Sequence, residues 1–290
     1  MNSVANNYMK VISSIVEMHK TSSDLRNKGK SVGFVPTMGA LHKGHTSLIE
    51  KAKKDNDAVI LSIFVNPTQF TAGEDYYSYP RDIEKDKTTA SDIGVDYLFL
   101  PSADEMYPEG YKTFVNVEDI TEPLCGKFRL GHFKGVATVV LKLFNIIKPH
   151  RAYFGEKDYQ QLLVIRRMAR DLNLDIEIIN MPTIREEDGL AMSSRNRYLN
   201  QKEMVSAAAI YKALKISQEM VKDSERMSKN IITEMERVIK NEDGMKIDYI
   251  SICDPDTLED VKIISDRALI AIAVRIGNAR LIDNCIVEVR

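Results

Sequence analysis

The chain reads Val35-Pro36-Thr37-Met38-Gly39-Ala40-Leu41-His42-Lys43-Gly44-His45 between an apolar run and a helix-like stretch that begins near Thr46. Two glycines and two imidazoles therefore lie in a strand-to-helix turn. Glycine lets the backbone approach a ligand closely, and a helix start offers unpaired N–H groups at the positive end of its dipole. The turn predicts a site for chemistry at the α-phosphate of a nucleotide. The alternative is a polar surface cap.

Apolar, β-rich runs alternate with helix-period stretches through the first two thirds of the chain. The runs predicted as strands are Val32–Val35, Ala58–Val65, Val95–Leu100, Arg151–Phe154 and Leu174–Met181, and the stretches predicted as helices include Ile83–Ile93, Gly135–Ile147 and Tyr159–Leu172. This alternation predicts an α/β fold, a parallel sheet with helices on both faces. Ligands of such sheets bind outside the carboxyl ends of the strands, which is where the histidine turn lies.

The pattern changes after Asn200. Two amphipathic helices, Gln201–Lys222 and Arg226–Asn241, are followed by three short strand candidates, Ile247–Cys253, Leu269–Val274 and Cys285–Val289. Helices followed by strands predict a smaller C-terminal α+β domain. We place the boundary near Met181–Arg185. The predicted domains are residues 1–182, which bind nucleotide and substrate, and residues 183–290, which close over the site.

Composition excludes several classes of protein. The 290 residues are 44% apolar and carry a net charge of −2, which argues against a basic nucleic-acid surface. No apolar run approaches the roughly 18 residues of a membrane span, and the polar N-terminus lacks the pattern of a secretory signal. The three cysteines are widely spaced. We interpret them as buried, reduced thiols of a cytoplasmic protein rather than as zinc ligands.

Two amide side chains follow the second predicted strand, in the stretch Phe64-Val-Asn-Pro-Thr-Gln-Phe70. Asn66 and Gln69 emerge at the same predicted sheet edge as the histidines. Amides both donate and accept hydrogen bonds, so they suit a small substrate with hydroxyl and carboxylate groups. Simple turn chemistry is the alternative explanation.

Two further polar turns can hold phosphates. Gly155 permits close approach, Lys157 supplies a compact cation, and Asp158 can accept from a ribose hydroxyl or cap the helix that carries Gln161. Past the predicted boundary, two hydroxyls and a guanidinium in Ser193–Arg195 can grip a triphosphate. The alternatives are a solvated turn and a polar linker.

Acidic residues offer a possible metal site. Asp82 and Asp86 lie one helical turn apart after Tyr79-Pro-Arg81, and Mg²⁺ is commonly held by nucleotide phosphates plus one or two carboxylates. Surface helix charges are the simpler explanation. A basic, glycine-containing loop, Arg129–Phe133, could also face substrate.

Six blocks occur in order: PTMGALHKGH, FVNPTQF, YPRD, GHFKGVATVV, AYFGEKDYQQL and DGLAMSSRN. Together they resemble the pantothenate synthetase (pantoate–β-alanine ligase) family, within the nucleotidylyltransferase superfamily that carries an H-x-G-H signature. The resemblance runs from about Val32 to Leu199, and beyond it rests mainly on position and size. It implies a Rossmann-like sheet in the first domain.

The resemblance implies a ligase that forms an amide bond in two steps. Pantoate attacks the α-phosphorus of ATP to give pantoyl adenylate and pyrophosphate, and β-alanine then displaces AMP. Mg²⁺ would accompany ATP, with Asp86 as its candidate ligand. The catalytic residues would be His42, His45, Lys157 and Arg195. Histidine titrates near neutrality, at a pKa of about 6.5, so one imidazole could act as a proton donor, and the resemblance favours His45.

Binding residues follow from the same resemblance. The ATP site would comprise Met38, Gly39, Ala40, Leu41, His42, Lys43, Gly44, His45, Gly155, Glu156, Lys157, Asp158, Ile184, Met192, Ser193, Ser194 and Arg195. Pantoate and β-alanine would contact Gln69, Gln161, Asn66 and His132. The family also implies a cytoplasmic homodimer that binds neither nucleic acid nor membrane.

The sequence departs from the family pattern at two positions. Phe128 and Leu130 stand where the family commonly has a smaller residue and proline, which affects the shape of the loop beside His132.

Two other functions are alternatives. An adenylyltransferase that releases a dinucleotide product would share the histidines, but it would not require both Gln69 and Gln161. A nonenzymatic nucleotide sensor would bind ATP without pantoate-dependent pyrophosphate release.

Overall fold

The computed structural model describes residues 9–71 and 73–289, so the first eight residues of the N-terminal stretch discussed above lie outside the described part. The chain divides into two compact units. The first extends to Val117 and includes Gly131–Gly155 and Ile165–Met181; the second comprises Glu118–Leu130, Glu156–Val164 and the chain from Pro182. These units differ from domains 1–182 and 183–290 in residues 118–130, 156–164 and 182, and the domain assignment stays a prediction.

The first unit is built on a six-stranded sheet in which all pairings are parallel, as predicted. The strand order is β1-β4-β3-β2-β5-β6. The strands are β1 (Lys10–Ile12), β2 (Val32–Thr37), β3 (Ala58–Ile63), β4 (Tyr97–Phe99), β5 (Arg151–Gly155) and β6 (Glu177–Met181). Strand β1 was not predicted, whereas β4, which is equally short, was predicted because it lies within the longer apolar run Val95–Leu100.

Helices cover both faces of this sheet. Successive side chains of a strand point to opposite faces, so a strand such as β2 packs against helices on both sides. On one face Val35 packs in a cluster with Leu48 and Ile49 of the helix that follows β2 and with Ala90 of the next helix. On the other, Phe34 makes an edge-on ring contact with Phe144 of the helix that precedes β5, at 6.3 Å between centroids. The helices are α1 (Ile15–Asn27), α2 (Lys43–Asp55), α3 (Ile83–Ile93), α4 (Ala103–Met106), α5 (Cys125–Phe128, in the second unit), α6 (His132–Ile147) and α7 (Tyr159–Asp171, whose sequence runs from the second unit into the first).

The strand order reverses direction between β2 and β5. From β2 the chain builds outward through β3 and β4, whereas β5 and β6 lie on the other side of β2. β2 and β5 pair only at Gly33–Arg151 and Phe34–Ala152, so beyond these residues the two strands are not joined by ladder pairing. A reversal of this kind leaves a crevice at the carboxyl ends of the strands, where α/β proteins bind ligands. The histidine turn leaves β2 at this crevice.

The second unit contains an antiparallel sheet in the order β7-β8-β9, with strands β7 (Met245–Cys253), β8 (Arg267–Ile276) and β9 (Ala279–Glu288). Its core joins alternate β8 residues such as Ile270 and Ile272 to Ile210 and Leu214 of one helix and to Met235 of another. The predicted α+β character is confirmed. Its helices are α8 (Gln201–Ala207), α9 (Ala209–Lys222) and α10 (Ser228–Lys240).

One helix prediction is wrong in the second unit. The stretch predicted as a single helix over Gln201–Lys222 is two helices, α8 and α9, divided at Ala208. Ala208 keeps a right-handed conformation, with φ −60° and ψ −21°, so the break lies in the hydrogen-bond ladder. Alanine is the best helix former, and the sequence therefore gives no sign of the interruption.

The cysteines are free thiols. Cys125 and Cys253 are buried as predicted, whereas Cys285 is only half-buried as a whole residue. Burial raises the pKa of the Cys253 thiol to about 12 and that of Cys285 to about 12. Across residues 9–71 and 73–289, no helix is both long and apolar enough to cross a membrane.

Candidate active site

Helix α2 begins with a histidine cap. His42 is the N-cap residue, in extended conformation, and its Nδ1 accepts a hydrogen bond from the Gly44 N–H at 3.1 Å. His45, at the third helical position, accepts from the His42 N–H through its own Nδ1 at 3.4 Å. This reciprocal arrangement is a capping box, which is normally made by a hydroxyl and a carboxylate. Here two imidazoles replace them, and the first turn of α2 contains no acidic residue.

The cap determines the tautomers of both rings. A ring nitrogen that accepts a hydrogen bond carries no proton, so each neutral imidazole is protonated at Nε2. The His42 and His45 ring centroids lie 4.1 Å apart with planes tilted by 40°. The pair therefore presents two Nε2–H donors at the positive end of a helix, an arrangement suited to negatively charged oxygen.

Gly44 explains the spacing of the motif. A Cβ at this position would lie 2.8 Å from Cε1 and 2.9 Å from Nδ1 of the His42 ring. Any larger residue would push the ring away from the helix start. The sequence H-x-G-H thus encodes a cap, the glycine that makes room for it, and the second ring.

The turn before the cap is held from α3. Gly39 and Ala40 both have positive φ, at 85° and 52°. The N–H groups of Ala40 and Leu41 each donate to a carboxylate oxygen of Asp86 at 2.8 Å. Asp86 was predicted as a metal ligand, and this contact with the turn was not expected from the sequence.

A buried amide network lies after β3, around a 3₁₀ turn at Pro67–Gln69. The Asn66 side chain, 1% exposed, donates through Nδ2 to Gln69 Oε1 at 3.0 Å. With its oxygen so occupied, the Gln69 amide directs Nε2 toward Met38 Sδ, 3.1 Å away. Asn66 thus sets the orientation of Gln69 and uses its own amide within the protein.

His132, at the start of α6, holds the same turn. Its Nδ1 donates to the Gln69 carbonyl oxygen at 2.7 Å. Close approach of α6 requires Gly135, since a Cβ there would lie 2.2 Å from the carbonyl oxygen of Thr68. Helix α6 therefore packs its backbone directly against the turn that presents Gln69.

Tyr107 completes the support of Asn66. Its hydroxyl donates to Asn66 Oδ1 at 2.9 Å, and the Thr68 hydroxyl donates to the same oxygen at 2.9 Å. Burial raises the pKa of Tyr107 to about 12, so the phenol stays protonated and able to donate at neutral pH. No motif or spacing in the sequence predicts a role for Tyr107.

The second unit carries the other predicted phosphate-binding groups. Glu156, Lys157 and Asp158 form a 3₁₀ turn, in which Lys157 Nζ lies 3.7 Å from Asp158 Oδ1. Asn284 of β9 donates from Nδ2 to the carbonyl oxygens of Glu156 and Lys157, at 3.0 and 2.9 Å. The sheet of this unit thus fixes the backbone that carries Lys157.

A second loop of this unit is also anchored to β9. Arg185 makes two hydrogen bonds to the carboxylate of Asp283, at 2.6 and 3.1 Å. The Met192 N–H donates to the Ile184 carbonyl at 3.0 Å, so these two predicted nucleotide-lining residues are neighbours. Ser193 follows as the N-cap of a 3₁₀ turn, Ser194–Tyr198, and its Oγ accepts from the Arg195 N–H at 3.3 Å.

The adjacent glutamines of α7 have different surroundings. Gln160, 5% exposed, donates to the carbonyls of Ile120 and Pro123 and accepts from the Cys125 N–H, all within the second unit. Gln161, predicted to contact pantoate, is half-buried. Gln160 therefore anchors residues 118–130. The spacing in the sequence does not show which of the two adjacent glutamines has this structural role.

Side chains that could bind a metal ion are not clustered among the residues that the structure describes. No group of three or more His, Cys, Asp or Glu side chains able to hold a metal ion occurs among residues 9–71 and 73–289. Both oxygens of Asp86 already accept backbone hydrogen bonds. Mg²⁺ bound with a nucleotide is generally held mainly by phosphates and water.

A parallel sheet with helices on both faces, and an H-x-G-H cap at the carboxyl end of a strand beside the sheet's reversal, define an α/β protein of the nucleotide-binding class. The sequence model of the pantoate-beta-alanine ligase family matches residues 10–286. The chain belongs to this family.

Relatives of known sequence and structure agree with this assignment. The pantothenate synthetase of Thermodesulfovibrio yellowstonii is 58% identical over 272 residues, which cover 93% of this chain and 97% of that protein. The crystal structure of the Thermus thermophilus pantothenate synthetase superposes with a TM-score of 0.91 at 45% identity, over 96% of this chain and 99% of that one. The pantoate-beta-alanine ligase of Francisella tularensis, described as complexed with beta-gamma ATP and β-alanine, is 39% identical with a TM-score of 0.80, over 96% and 97%.

Proposed function

We propose that this protein condenses pantoate with β-alanine at the expense of ATP, forming pantothenate through pantoyl adenylate. Membership of the pantoate-beta-alanine ligase family supports the reaction. The observation that carries the mechanism is the pair of imidazoles capping α2 beside the crevice between β2 and β5. That arrangement is suited to bind charge on a nucleotide phosphate.

The first step is attack of a pantoate carboxylate oxygen on the α-phosphorus of ATP. The new O–P bond replaces the bond to pyrophosphate, which leaves. The transition state of this nucleotidyl transfer spreads negative charge over the phosphate oxygens, so catalysis depends on positioning and electrostatic stabilisation. No protein nucleophile is required.

The histidines stabilise this step. Their Nε2–H donors follow from the capping geometry, in which both Nδ1 atoms accept. His42 is fixed by the helix start and binds phosphate oxygen. His45 donates a hydrogen bond through Nε2–H to the leaving pyrophosphate; because its Nδ1 accepts from the His42 N–H, the neutral ring stabilises the negative charge and keeps its proton.

Cationic and hydroxyl groups of the second unit neutralise the phosphates. Lys157 is a point charge, and Arg195 offers a planar fork that matches phosphate. Ser193 and Ser194 add hydroxyl donors. The remaining nucleotide-lining residues in this proposal are Met38, Gly39, Ala40, Leu41, Lys43, Gly44, Gly155, Glu156, Asp158, Ile184 and Met192.

Gln69 and Gln161 hold pantoate. The contact with Asn66 leaves Gln69 oriented to donate through Nε2, which suits a carboxylate or hydroxyl oxygen. Asn66 and His132 act in this proposal by holding Gln69, Asn66 through a hydrogen bond to its side chain and His132 through one to its carbonyl oxygen.

In the second step the amine of β-alanine attacks the acyl carbon of pantoyl adenylate. A C–N bond forms, and the C–O bond to AMP breaks. AMP leaves readily, whereas a free carboxylate would not accept the amine, so adenylation supplies the driving force. Mg²⁺ accompanies ATP, and a cytoplasmic homodimer is the proposed form of the enzyme.

The proposal is tested by omitting one substrate at a time. With ATP, Mg²⁺ and pantoate, we expect pyrophosphate release of no more than about one equivalent per site until β-alanine is added, after which AMP and pantothenate accumulate together. A product that retains AMP without consuming the amine would indicate an adenylyltransferase. Tight ATP binding without pantoate-dependent pyrophosphate release would indicate a nucleotide sensor.

A further inference from the structure

Asp86 is buried, 3% exposed, in the first turn of α3. Its two carboxylate oxygens accept hydrogen bonds from successive backbone N–H groups, Oδ2 from Ala40 and Oδ1 from Leu41, both at 2.8 Å. Hydrogen bonds from backbone N–H to an ionised carboxylate are among the stronger ones in proteins. The contact joins α3 to the turn that follows β2.

The turn has a conformation that needs such support. Gly39 and Ala40 both lie in the left-handed region, which is unfavourable for a residue with a Cβ. Successive N–H groups in such a turn converge on one point and form a concave anion site. Asp86 places an internal carboxylate at that point, and a Cβ on Gly39 would lie only 2.8 Å from Asp86 Oδ2.

The turn leads directly into the histidine cap. Leu41, whose N–H is held by Asp86, is followed by His42, the N-cap of α2. At its other end the turn is held by Thr37, whose hydroxyl accepts from the Gly39 N–H at 3.2 Å and donates to the Ser62 carbonyl. The backbone entering the cap is therefore fixed from β3 and from α3.

We propose that Asp86 is a positioning residue for the H-x-G-H cap and acts through the Ala40 and Leu41 amides rather than as a metal ligand. Its effect on the reaction rests on the proposed function, whereas its effect on the histidine rings does not. A charge placed one helical turn from the helix start was expected to face solvent or metal. The structure instead directs it at the backbone.

The test compares Asp86→Asn with Asp92→Asn, an exposed aspartate on the same helix. The amide is isosteric, but it offers one oxygen and turns an N–H group toward a backbone N–H. Three measurements are made below the unfolding temperature: steady-state kinetics, which give kcat and the KM for ATP; the Mg²⁺ concentration for half-maximal rate; and the ¹⁵N and ¹H resonances of the His42 and His45 side chains without substrate.

Positioning predicts that Asp86→Asn lowers kcat by about 10- to 100-fold, as expected for a displaced catalytic group, and shifts the resonances of His42. The Mg²⁺ requirement should stay within about twofold of wild type, and Asp92→Asn should match wild type in all three measurements. A large rise in the Mg²⁺ requirement with unchanged histidine resonances would overturn the proposal in favour of a metal ligand. Unchanged kcat and resonances with lower thermal stability would reduce Asp86 to a structural role.

The two proposals fail separately. If wild type forms no pantothenate, the proposed function fails, yet the histidine resonances of Asp86→Asn still report whether the carboxylate holds the cap. Should Asp86→Asn fold poorly, Asp86→Glu keeps both acceptor oxygens on a longer stem. It is expected to restore the His42 resonances at least partly, and failure of any restoration in a folded protein would contradict the positioning role.

Discussion

The Gly44 N–H donates to Nδ1 of His42 at 3.1 Å, within a space that a Cβ on Gly44 would fill. This hydrogen bond makes the ring of His42 part of the helix start and fixes its proton on Nε2. The hydrogen bond that caps the helix therefore also determines which nitrogen of the ring can donate to a ligand.

Gly44→Ala should disable the site without unfolding the protein. Alanine favours helix over glycine by up to about 1 kcal/mol, so propensity alone would stabilise α2. The added methyl group, however, displaces the His42 ring. We expect the rate of pyrophosphate release to fall at least about tenfold, while the free energy of unfolding in urea changes by less than about 1 kcal/mol. Glu50→Ala, an exposed change on the same helix, is the matched control, and a Gly44→Ala enzyme as fast as this control would refute the steric argument.

His42→Asn separates capping from catalysis. Asparagine is a preferred N-cap residue, whereas alanine at the N-cap costs about 1 kcal/mol. We expect His42→Ala to lose about that much free energy of unfolding and His42→Asn to recover most of it. Neither variant should regain adenylation, as measured by pantoate-dependent pyrophosphate release. Recovery of activity in His42→Asn would show that the imidazole serves only as a cap.

His45→Ala should lower the adenylation rate by roughly 10²- to 10⁴-fold, the usual effect of removing a positioned acid or charge stabiliser. His45 also accepts the His42 N–H, so a small loss of stability is expected as well. Rapid-quench measurement of pyrophosphate separates the chemical step from product release. Turnover near that of wild type would remove His45 from the mechanism.

Gln69→Ala and Gln161→Ala should raise the KM for pantoate more than the KM for ATP. Asn66→Ala should resemble Gln69→Ala, because Asn66 orients the Gln69 amide. Steady-state kinetics with each substrate varied in turn supply the comparison. An effect of Asn66→Ala that is confined to ATP would contradict the orienting role.

His150 should make stability depend on pH. Burial, with help from Arg26 and Arg151, lowers the pKa of His150, whose Nδ1 accepts from the Val32 N–H at 2.9 Å. The unfolded chain therefore takes up this proton first, near its ordinary pKa of about 6.5. As pH falls through that value, the contribution of His150 to stability decreases. Urea unfolding at pH 7.5 and pH 5.5 should show a smaller difference in His150→Asn than in wild type, and an equal difference would exclude this origin.

The sequence predicted most of the sheet because its strands are apolar runs and its helices carry clear periodicity. Helix α3, Ile83–Ile93, ends as predicted at Gly94, whose φ of 84° suits a glycine cap. Strand β1 and the break between α8 and α9 escaped prediction, since neither the isolated run Lys10–Ile12 nor an interruption at alanine leaves a local pattern. Such features depend on tertiary contacts.

In the candidate site, too, some residues could be predicted from the sequence and others could not. The H-x-G-H turn was predictable because histidine and glycine at that spacing are rare and fall at a strand-to-helix junction. The supporting contacts of Asp86, Tyr107 and Asn284 were not, because each joins residues tens of positions apart. Local spacing identifies the groups suited to contact a ligand, whereas the groups that hold them emerge only from the fold.

The most direct test follows oxygen from pantoate into AMP. Pantoate labelled with ¹⁸O in its carboxylate is incubated with ATP, Mg²⁺ and β-alanine, and the products are examined by ³¹P NMR and mass spectrometry. Attack of the carboxylate on the α-phosphorus predicts one ¹⁸O atom in AMP for each pantothenate formed, and none in pyrophosphate. Label in inorganic phosphate, or AMP formed without label, would contradict the adenylate mechanism.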